Sequence, residues 1–296
     1  MKIGYSPGKL LRTAVETEKP LQVVGVPNAY TAVMAEKSGF LALYLSGAGV
    51  ANGAFALPDL GMTTLVDVLE EVRRITGATL LPLLVDCDTG FGGNLMVGRT
   101  VREMIRAGAA GIHLEDQVQD KRCGHRPNKS LVSPEEMVDR IKAAVDARSD
   151  PDFVIMARTD AFAVEGLQRA IERAGRYREA GADMIFPEAL TATDHYRLFA
   201  DLLEVPILAN QTEFGVTPLY GLRELAEAGV SLVLYPLSAL RAMNAAALKA
   251  FQTIRMDGTQ KGLLDSMQSR TELYDFLGYL EYERKIDKKP SEEDLT

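Results

Sequence analysis

Eight short, almost purely apolar runs alternate with longer amphipathic stretches along this chain, and that alternation restricts the fold more than any other feature. The runs fall at 22–27, 42–47, 81–88, 111–115, 153–159, 184–188, 206–210 and 230–235. Stretches such as Leu81-Pro82-Leu83-Leu84-Val85 and Val230-Ser231-Leu232-Val233-Leu234 do not alternate polar with apolar residues. Strands of that kind are buried on both faces, as in a parallel sheet covered by helices. Eight of them, each followed by a helical pattern, predict an α/β fold of the closed (β/α)8, or TIM-type, barrel class. The alternative, an open doubly wound sheet, lacks support because no Gly-x-Gly-x-x-Gly follows the first strand.

Local punctuation agrees. Ser38-Gly39, Ala107-Gly108, Ala180-Gly181 and Ala228-Gly229 each precede a strand by a few residues, where a glycine closes a helix. Ser133-Pro134-Glu135-Glu136 carries an N-cap, a proline at the first helical position and a glutamate for a capping box; Thr217-Pro218 repeats the first two parts. The chain has 296 residues, so one barrel domain over 1–296 is expected. Residues 238–286 then form the last barrel helix plus a C-terminal helical extension, which covers the barrel mouth or packs on a neighbouring subunit. The charged tail, 287–296, is expected to fray.

Hydrophobic residues make up 47% and charged residues 25%, enough apolar material for a full core. The net charge of −8, without a Lys/Arg-rich block, argues against a nucleic-acid partner. Two cysteines do not make a disulfide framework, no apolar run reaches a membrane span, and the N-terminus lacks the apolar core of a signal peptide. A cytoplasmic protein without a membrane partner is expected.

In a (β/α)8 barrel the chemistry sits at the C-terminal ends of the strands. Here nearly every run ends in a polar group: Ser46, Asp86 and Asp88, His113 and Glu115, Arg158 and Asp160, Glu188, Asn210 and Thr212. A single such residue reads as an N-cap or a solvated loop position, but so many converging on one mouth do not. Asp86 and Asp88 share one side if the segment is extended. Paired carboxylates repel unless one is protonated or a cation lies between them, and oxygen ligands favour Mg2+. Glu115 is placed to join that shell through water. Cys87 between them reads as a buried small hydrophobe. The second cluster is Lys121-Arg122-Cys123-Gly124-His125-Arg126. Basic neighbours predict a lowered thiol pKa and a proton donor or nucleophile, against the plainer reading of a mobile basic loop. A metal beside basic groups suits a small polycarboxylate, with Arg158, Arg241 and Arg270 as further clamps.

The cysteine loop, with Ile112-His113-Leu114-Glu115-Asp116-Gln117 before it and Lys129 after it, resembles the signature of the isocitrate lyase / phosphoenolpyruvate mutase superfamily. Tyr44-Leu45-Ser46-Gly47, Met156-Ala157-Arg158-Thr159-Asp160 and Phe186-Pro187-Glu188-Ala189 extend the resemblance over essentially the whole chain. The resemblance implies a Mg2+-dependent lyase that cleaves the tricarboxylate 2-methylisocitrate to pyruvate and succinate in propionate catabolism by the methylcitrate cycle. It also implies a homotetramer with C-terminal helices exchanged between subunits. Asp86 and Asp88 would hold the metal with Glu115 outside them, and Ser46, Gly47, Ala48 and Arg158 would bind the pyruvate-forming carboxylate. Gly124, Glu188, Asn210, Thr212, Arg241 and Arg270 would bind the rest. Cys123 would protonate the succinate carbanion that Arg122 and His125 help stabilise, and Tyr44 would serve as the base. Phe186 and Leu234 stand where a tryptophan and a threonine mark true isocitrate lyases, which favours the methylated substrate. Ala48 departs from the family's Ser-Gly-Gly-Gly run. Isocitrate cleavage to glyoxylate, an oxaloacetate decarboxylase or phosphonopyruvate-processing activity, and a non-catalytic metabolite-binding barrel are the rival expectations.

Overall fold

The computed structural model describes residues 6–287. The expectation for the tail thus lies, beyond Asp287, outside the described residues. The chain divides into two compact units, Met1–Arg241 and Ala242–Thr296. The first begins with α1 (Pro7–Thr17), β1 (Leu21–Gly25), α2 (Ala29–Lys37) and β2 (Ala42–Leu45). Two helices, α3 (Gly47–Phe55) and α4 (Leu65–Ala78), lead to β3 (Leu83–Asp86), α5 (Asn94–Arg106) and β4 (Gly111–Glu115). There follow α6 (Pro134–Asp146), β5 (Val154–Thr159), α7 (Phe162–Glu165), α8 (Leu167–Glu179) and β6 (Met184–Pro187). Last come α9 (Thr193–Leu203), β7 (Leu208–Asn210), α10 (Leu222–Glu227), β8 (Leu232–Tyr235) and the start of α11 (Ser238–Asp257).

All eight expected strands are present and parallel, in the order β6-β5-β4-β3-β2-β1-β8-β7, and a parallel bridge between Ile185 and Ile207 brings the two edges together. The sheet is thus a nearly closed barrel. Its pleat explains the unbroken apolar runs. Val23, Tyr44, Leu84, Met156, Phe186 and Leu234 fill the barrel, whereas Val85, Ile112, Ile155, Ile185 and Val233 pack with the helical layer. Each fully buried aliphatic side chain contributes about 1.5–3 kcal/mol. Leu11, Ala14 and Val15 of α1 join the interior cluster and close its lower end. That helix, which the alternation does not announce, is capped by Ser6, whose Oγ accepts from the Lys9 amide at 3.2 Å ahead of Pro7.

The helix-closing glycines 39, 108, 181 and 229 all have positive φ, and Ser133 caps α6 as expected. Thr217-Pro218, in contrast, starts no helix. α10 begins four residues later, where Gly221 N donates to the Glu224 carboxylate at 2.6 Å. The segment 238–286 is divided into several helices. In the second unit α11 ends before Gly258, a 3₁₀ turn spans Lys261–Ser266, and α12 (Arg270–Leu277) closes at Gly278 before α13 (Tyr279–Asp287). Gly258 and Gly278 both adopt left-handed φ, which ends helical hydrogen bonding.

Candidate active site

Strand register sets the rim. Asp86 pairs with His113, Glu115 with Arg158, and Arg158 with Phe186 across β3, β4, β5 and β6. Asp86 is the last residue of β3 and Cys87 turns into the core, as expected. Asp88 is not extended, however. Its φ is 46°, and its amide donates to Asp86 Oδ1 at 3.1 Å, so a tight side-chain-capped turn brings the carboxylates together. The α3 N-terminus lies against them. Ser46 caps that helix, the Gly47 amide donates to Asp86 Oδ2 at 3.0 Å, and a Cβ at Gly47 would stand 3.2 Å from both Asp86 Oδ2 and Asp88 Oδ1. Ala48 lies inside α3 and has no positive φ, so its methyl costs the backbone nothing.

Asp86, Asp88 and Glu115 are all buried, and each offers an oxygen within 4.8 Å of the others. Burial opposes ionisation of Asp86, but His113, Lys121 and Arg158 outweigh it and hold the carboxyl at about 2. Burial and the charge on Asp86 push Asp88 up to about 6, and burial pushes Glu115 well above its ordinary range. Neither oxygen of Glu115 has a hydrogen-bond partner, and Arg158 Nη1 stands off at 3.3 Å from Oε2. Asp88 Oδ1 has only the Lys121 ammonium, at 2.7 Å, which also pairs with Asp59. Buried carboxylates with unused oxygen lone pairs and no sulfur or nitrogen ligand fit a hard divalent cation.

Arg158 is the hub of the opposite wall. It pairs with Asp160 through two nitrogens, at 3.0 and 3.2 Å, and its Nη2 lies 3.3 Å from Glu188. Burial costs Arg158 some basicity, yet Asp160, Glu115 and Glu188 raise its pKa far above the ordinary value. Its contacts to Glu115 and Glu188 are long for charge-assisted bonds, which leaves its outer nitrogens available to an incoming carboxylate. Asn210 Nδ2 donates to both Glu188 oxygens at 3.3 and 3.4 Å, and Thr212 is buried beside it in sequence. Phe186 stacks edge-on to His113 at 5.3 Å and carries Arg158 over its face, while Leu234 is fully buried within the barrel. Tyr44 OH lies 2.9 Å from His113 Nε2. Burial, then Asp86, raises the phenol well above its usual pKa, and burial lowers His113 to about 4. Both groups are neutral at neutral pH, so Tyr44 cannot act as a standing phenolate.

The cysteine loop is pinned over this wall at several points. The Gln117 side chain bonds both the carbonyl and the amide of Arg122, at 2.8 and 3.0 Å. Lys129, essentially unexposed, donates to the Gly124 carbonyl at 2.5 Å and to Asp160 at 2.7 Å. A Cβ on Gly124 would come within 2.4 Å of Glu188 Cγ and 2.6 Å of Arg158 Nη2, so only glycine lets the backbone rest there. His125 reaches Glu188 with Nε2 at 3.2 Å. The expected lowering of the Cys123 pKa is overturned: burial is the largest influence and raises it, because the loop's lysines are spent on other carboxylates. Cys123 is therefore a thiol at neutral pH.

Arg122 and Arg241, two expected residues of the first unit, stay apart from this cluster. The Arg122 guanidinium is exposed and Arg241 pairs with Glu213 at 3.4 Å, stacked over Phe214; Arg270 begins α12 in the second unit and is exposed. Conversely, Lys129, Gln117 and Asp59 were not singled out from the sequence as site residues. Gln117 and Lys129 stood in the signature around the cysteine loop without a role of their own, as did Lys121 within it, and Asp160 stood out as a polar group ending the β5 run.

The model of the family described as phosphoenolpyruvate phosphomutase matches residues 11–255. The chain belongs to the phosphoenolpyruvate mutase / isocitrate lyase superfamily. It is 61% identical to the 2-methylisocitrate lyase of Escherichia coli strain K12, with 96% of each chain covered. It is 48% identical to that of Aeropyrum pernix, over 94% of this chain and 90% of the relative. Among solved structures it superposes on 2,3-dimethylmalate lyase with a TM-score of 0.87 at 36% identity, covering 96% and 95% of the two chains. A phosphonopyruvate hydrolase in complex with oxalate and Mg++ matches with a TM-score of 0.83 at 30% identity, covering 96% and 98%. This superfamily member is accordingly a lyase.

Proposed function

We propose that the enzyme cleaves 2-methylisocitrate to pyruvate and succinate with Mg2+ on Asp86 and Asp88 and with Glu115 behind them. The observation that carries this reading is the pairing of a buried carboxylate cluster that keeps unpartnered oxygens with a protonated Cys123 on the loop seated against Arg158 and Glu188. High identity to enzymes named 2-methylisocitrate lyase supports the substrate.

Asp86 and Asp88, with Glu115 behind them, would hold Mg2+, which would supply Lewis acidity for the C2 hydroxyl and the developing ketone oxygen. The α3 N-terminus, with Ser46, Gly47 and Ala48, receives the carboxylate that becomes pyruvate's, and Arg158 turns its outer nitrogens to the same group. Tyr44 accepts the C2 hydroxyl proton only as it passes its own to His113 Nε2, 2.9 Å away, which avoids a buried phenolate. Breaking C2–C3 then leaves an electron pair on the succinate half. Cys123 supplies its proton to that carbon; His113 then releases the proton it gained to solvent and solvent returns one to the Cys123 thiolate, so both groups end as they began. Gly124, Glu188, Asn210 and Thr212 line the succinate side, with Phe186 and Leu234 as the apolar groups near the extra methyl. Arg122, Arg241 and Arg270 are assigned to the negative charge of the succinate half.

A single-domain description, 1–296, with helices from about 238 onward exchanged in a homotetramer, accounts for the exposed Leu248, Phe251, Met256, Leu280 and Ile286 of the second unit. A cytoplasmic site and a role in propionate breakdown through the methylcitrate cycle complete the proposal. Among the described residues no helix is long and apolar enough to cross a membrane. A substrate panel run with and without Mg2+, following pyruvate and glyoxylate separately, tests the reading. Pyruvate from 2-methylisocitrate should dominate, and comparable glyoxylate from isocitrate would refute the substrate assignment.

A further inference from the structure

The loop between β7 and α10 is fastened at both ends and touches the cysteine loop at one point. Gln211 Oε1 accepts from the Tyr220 amide at 2.7 Å, and Tyr220 OH donates to the Thr191 carbonyl at 2.8 Å. Glu213 pairs with Arg241 and accepts from Ser238, while Phe214 at the tip is 93% exposed. The contact with the cysteine loop is made by Gly215 and Val216, and its partner is the imidazole of His125.

The Val216 amide donates to His125 Nδ1 at 3.1 Å. A nitrogen that accepts an N–H through its lone pair carries no proton of its own, so the proton of the neutral ring is on Nε2. Nε2 lies 3.2 Å from Glu188 Oε1, which also accepts from the Ala189 amide at 2.8 Å and from Asn210 Nδ2 at 3.3 Å; a carboxylate oxygen has no proton to give, so Nε2 is the donor in that contact, with Asn210 Nδ2 farther from it at 3.5 Å. A ring protonated at both nitrogens would set two N–H groups head to head at Nδ1. Gly215 fits the same logic. It has no positive φ, so the backbone does not require glycine there, but a Cβ would lie 2.7 Å from Nδ1, 2.9 Å from Cε1 and 3.0 Å from Cγ of the ring. The missing side chain is the space the imidazole occupies.

We propose that Gly215 and the Val216 amide are positioning groups that seat His125 as the neutral tautomer protonated on Nε2, and through it hold the cysteine loop over the site. The catalytic consequence rests on the reading in which this loop serves the lyase reaction. In that role His125 is a neutral hydrogen-bond donor aimed along Glu188, rather than a second positive charge. Closure of the cysteine loop is then read out by the β7–α10 loop, which supplies the partner that Nδ1 would otherwise lack.

The test is the tautomer itself. The protein has three histidines, so long-range proton–nitrogen-15 spectra resolve them, and the signal lost in His125→Ala identifies the ring. The wild-type spectrum should show His125 protonated on Nε2 alone at neutral pH; an Nδ1–H or doubly protonated ring overturns the proposal. Gly215→Ala should abolish that pattern and lower kcat about 10²-fold with a much smaller change in KM, as ångström-scale misplacement does. Added to His125→Ala, the same substitution should cost nothing further. An equal loss in both backgrounds would mean that Gly215 acts on the fold and not through the ring. Should the wild-type protein fail to cleave 2-methylisocitrate, the proposed reaction falls while the spectrum still decides the tautomer.

Discussion

Replacing Lys129 with methionine isolates the force that closes the cysteine loop. The ammonium is 1% exposed, donates to the Gly124 carbonyl at 2.5 Å and pairs with Asp160 at 2.7 Å. Removing one partner of a buried ion pair costs about 3–5 kcal/mol. Asp160 keeps the two-nitrogen contact from Arg158, at 3.0 and 3.2 Å, so the lower end, about 3 kcal/mol, applies here. Part of that cost is the unpaired Gly124 carbonyl, about 1–3 kcal/mol. Opening the loop relieves it by giving the carbonyl to water, whereas unfolding the barrel would expose the whole core. That carbonyl's share should therefore shift the closed–open balance of the loop by about 5- to 150-fold while the barrel stays folded. Cys123 reports this directly, since Cys87 is fully buried and silent. The labelling rate of one thiol by a neutral reagent should rise by the same factor in Lys129→Met, with the urea midpoint falling by no more than the share left on Asp160. A rate within about twofold of wild type, with the loss appearing in the urea midpoint, would refute the argument.

Three further outcomes follow from the site. Cys123→Ser should lower kcat about 10²–10⁴-fold, the usual contribution of a positioned acid, while calorimetry still detects substrate binding; near-normal turnover would remove Cys123 from the reaction. Asp88 titrates at about 6 in the metal-free fold, above its ordinary 3.8, so its proton stabilises that fold below 3.8 and the contribution is lost as pH rises through about 6. Magnesium must displace that proton, so its calorimetric affinity should weaken about tenfold per pH unit below about 6 and level off above; a flat profile between about pH 5 and about pH 7 would contradict Asp88 as a ligand. Tyr44→Phe and His113→Leu should each lower kcat, and combining them should cost little more than either alone, because a relay is broken by losing one member.

The sequence was most legible where one physical requirement acted alone. Strands buried on both faces must be apolar throughout, so all eight declared themselves, and rim residues stood out as the polar groups ending those runs. Legibility failed where the deciding partner was remote or where two effects competed. Lys129 acts on Asp160, thirty-one positions away, and Val216 on His125, ninety-one away; neither spacing belongs to any local pattern. Asp88 looked like the next residue on one face of a strand, but a carboxylate that accepts the amide two residues on can turn the chain instead, and it does. In the C-terminal segment the boundaries of the helical extension were not placed, and left-handed glycines at 258 and 278 set two of them.

The cysteine loop is where the competition matters for chemistry. Basic residues around a thiol lower its pKa only if their charge faces the sulfur. Here Lys121 goes to Asp59 and Asp88, Lys129 to Asp160 and the Gly124 carbonyl, and His125 to Val216 and Glu188. Burial opposes the charge on Lys121, yet Asp88, Glu115 and Asp59 drive its pKa upward, so that ammonium is permanently committed to the carboxylate mouth. The charges therefore hold the loop shut and leave desolvation to govern Cys123. A thiolate would suit a nucleophile. A carbanion needs a proton, and an uncharged, half-buried thiol held against an excess of carboxylate keeps one until it is taken. The loop's basic composition thus answers to closure over acidic walls, and the acidity of the walls in turn is what a divalent cation requires. The two clusters that the sequence presents as separate motifs share Lys121 and Asp88 as their common joint.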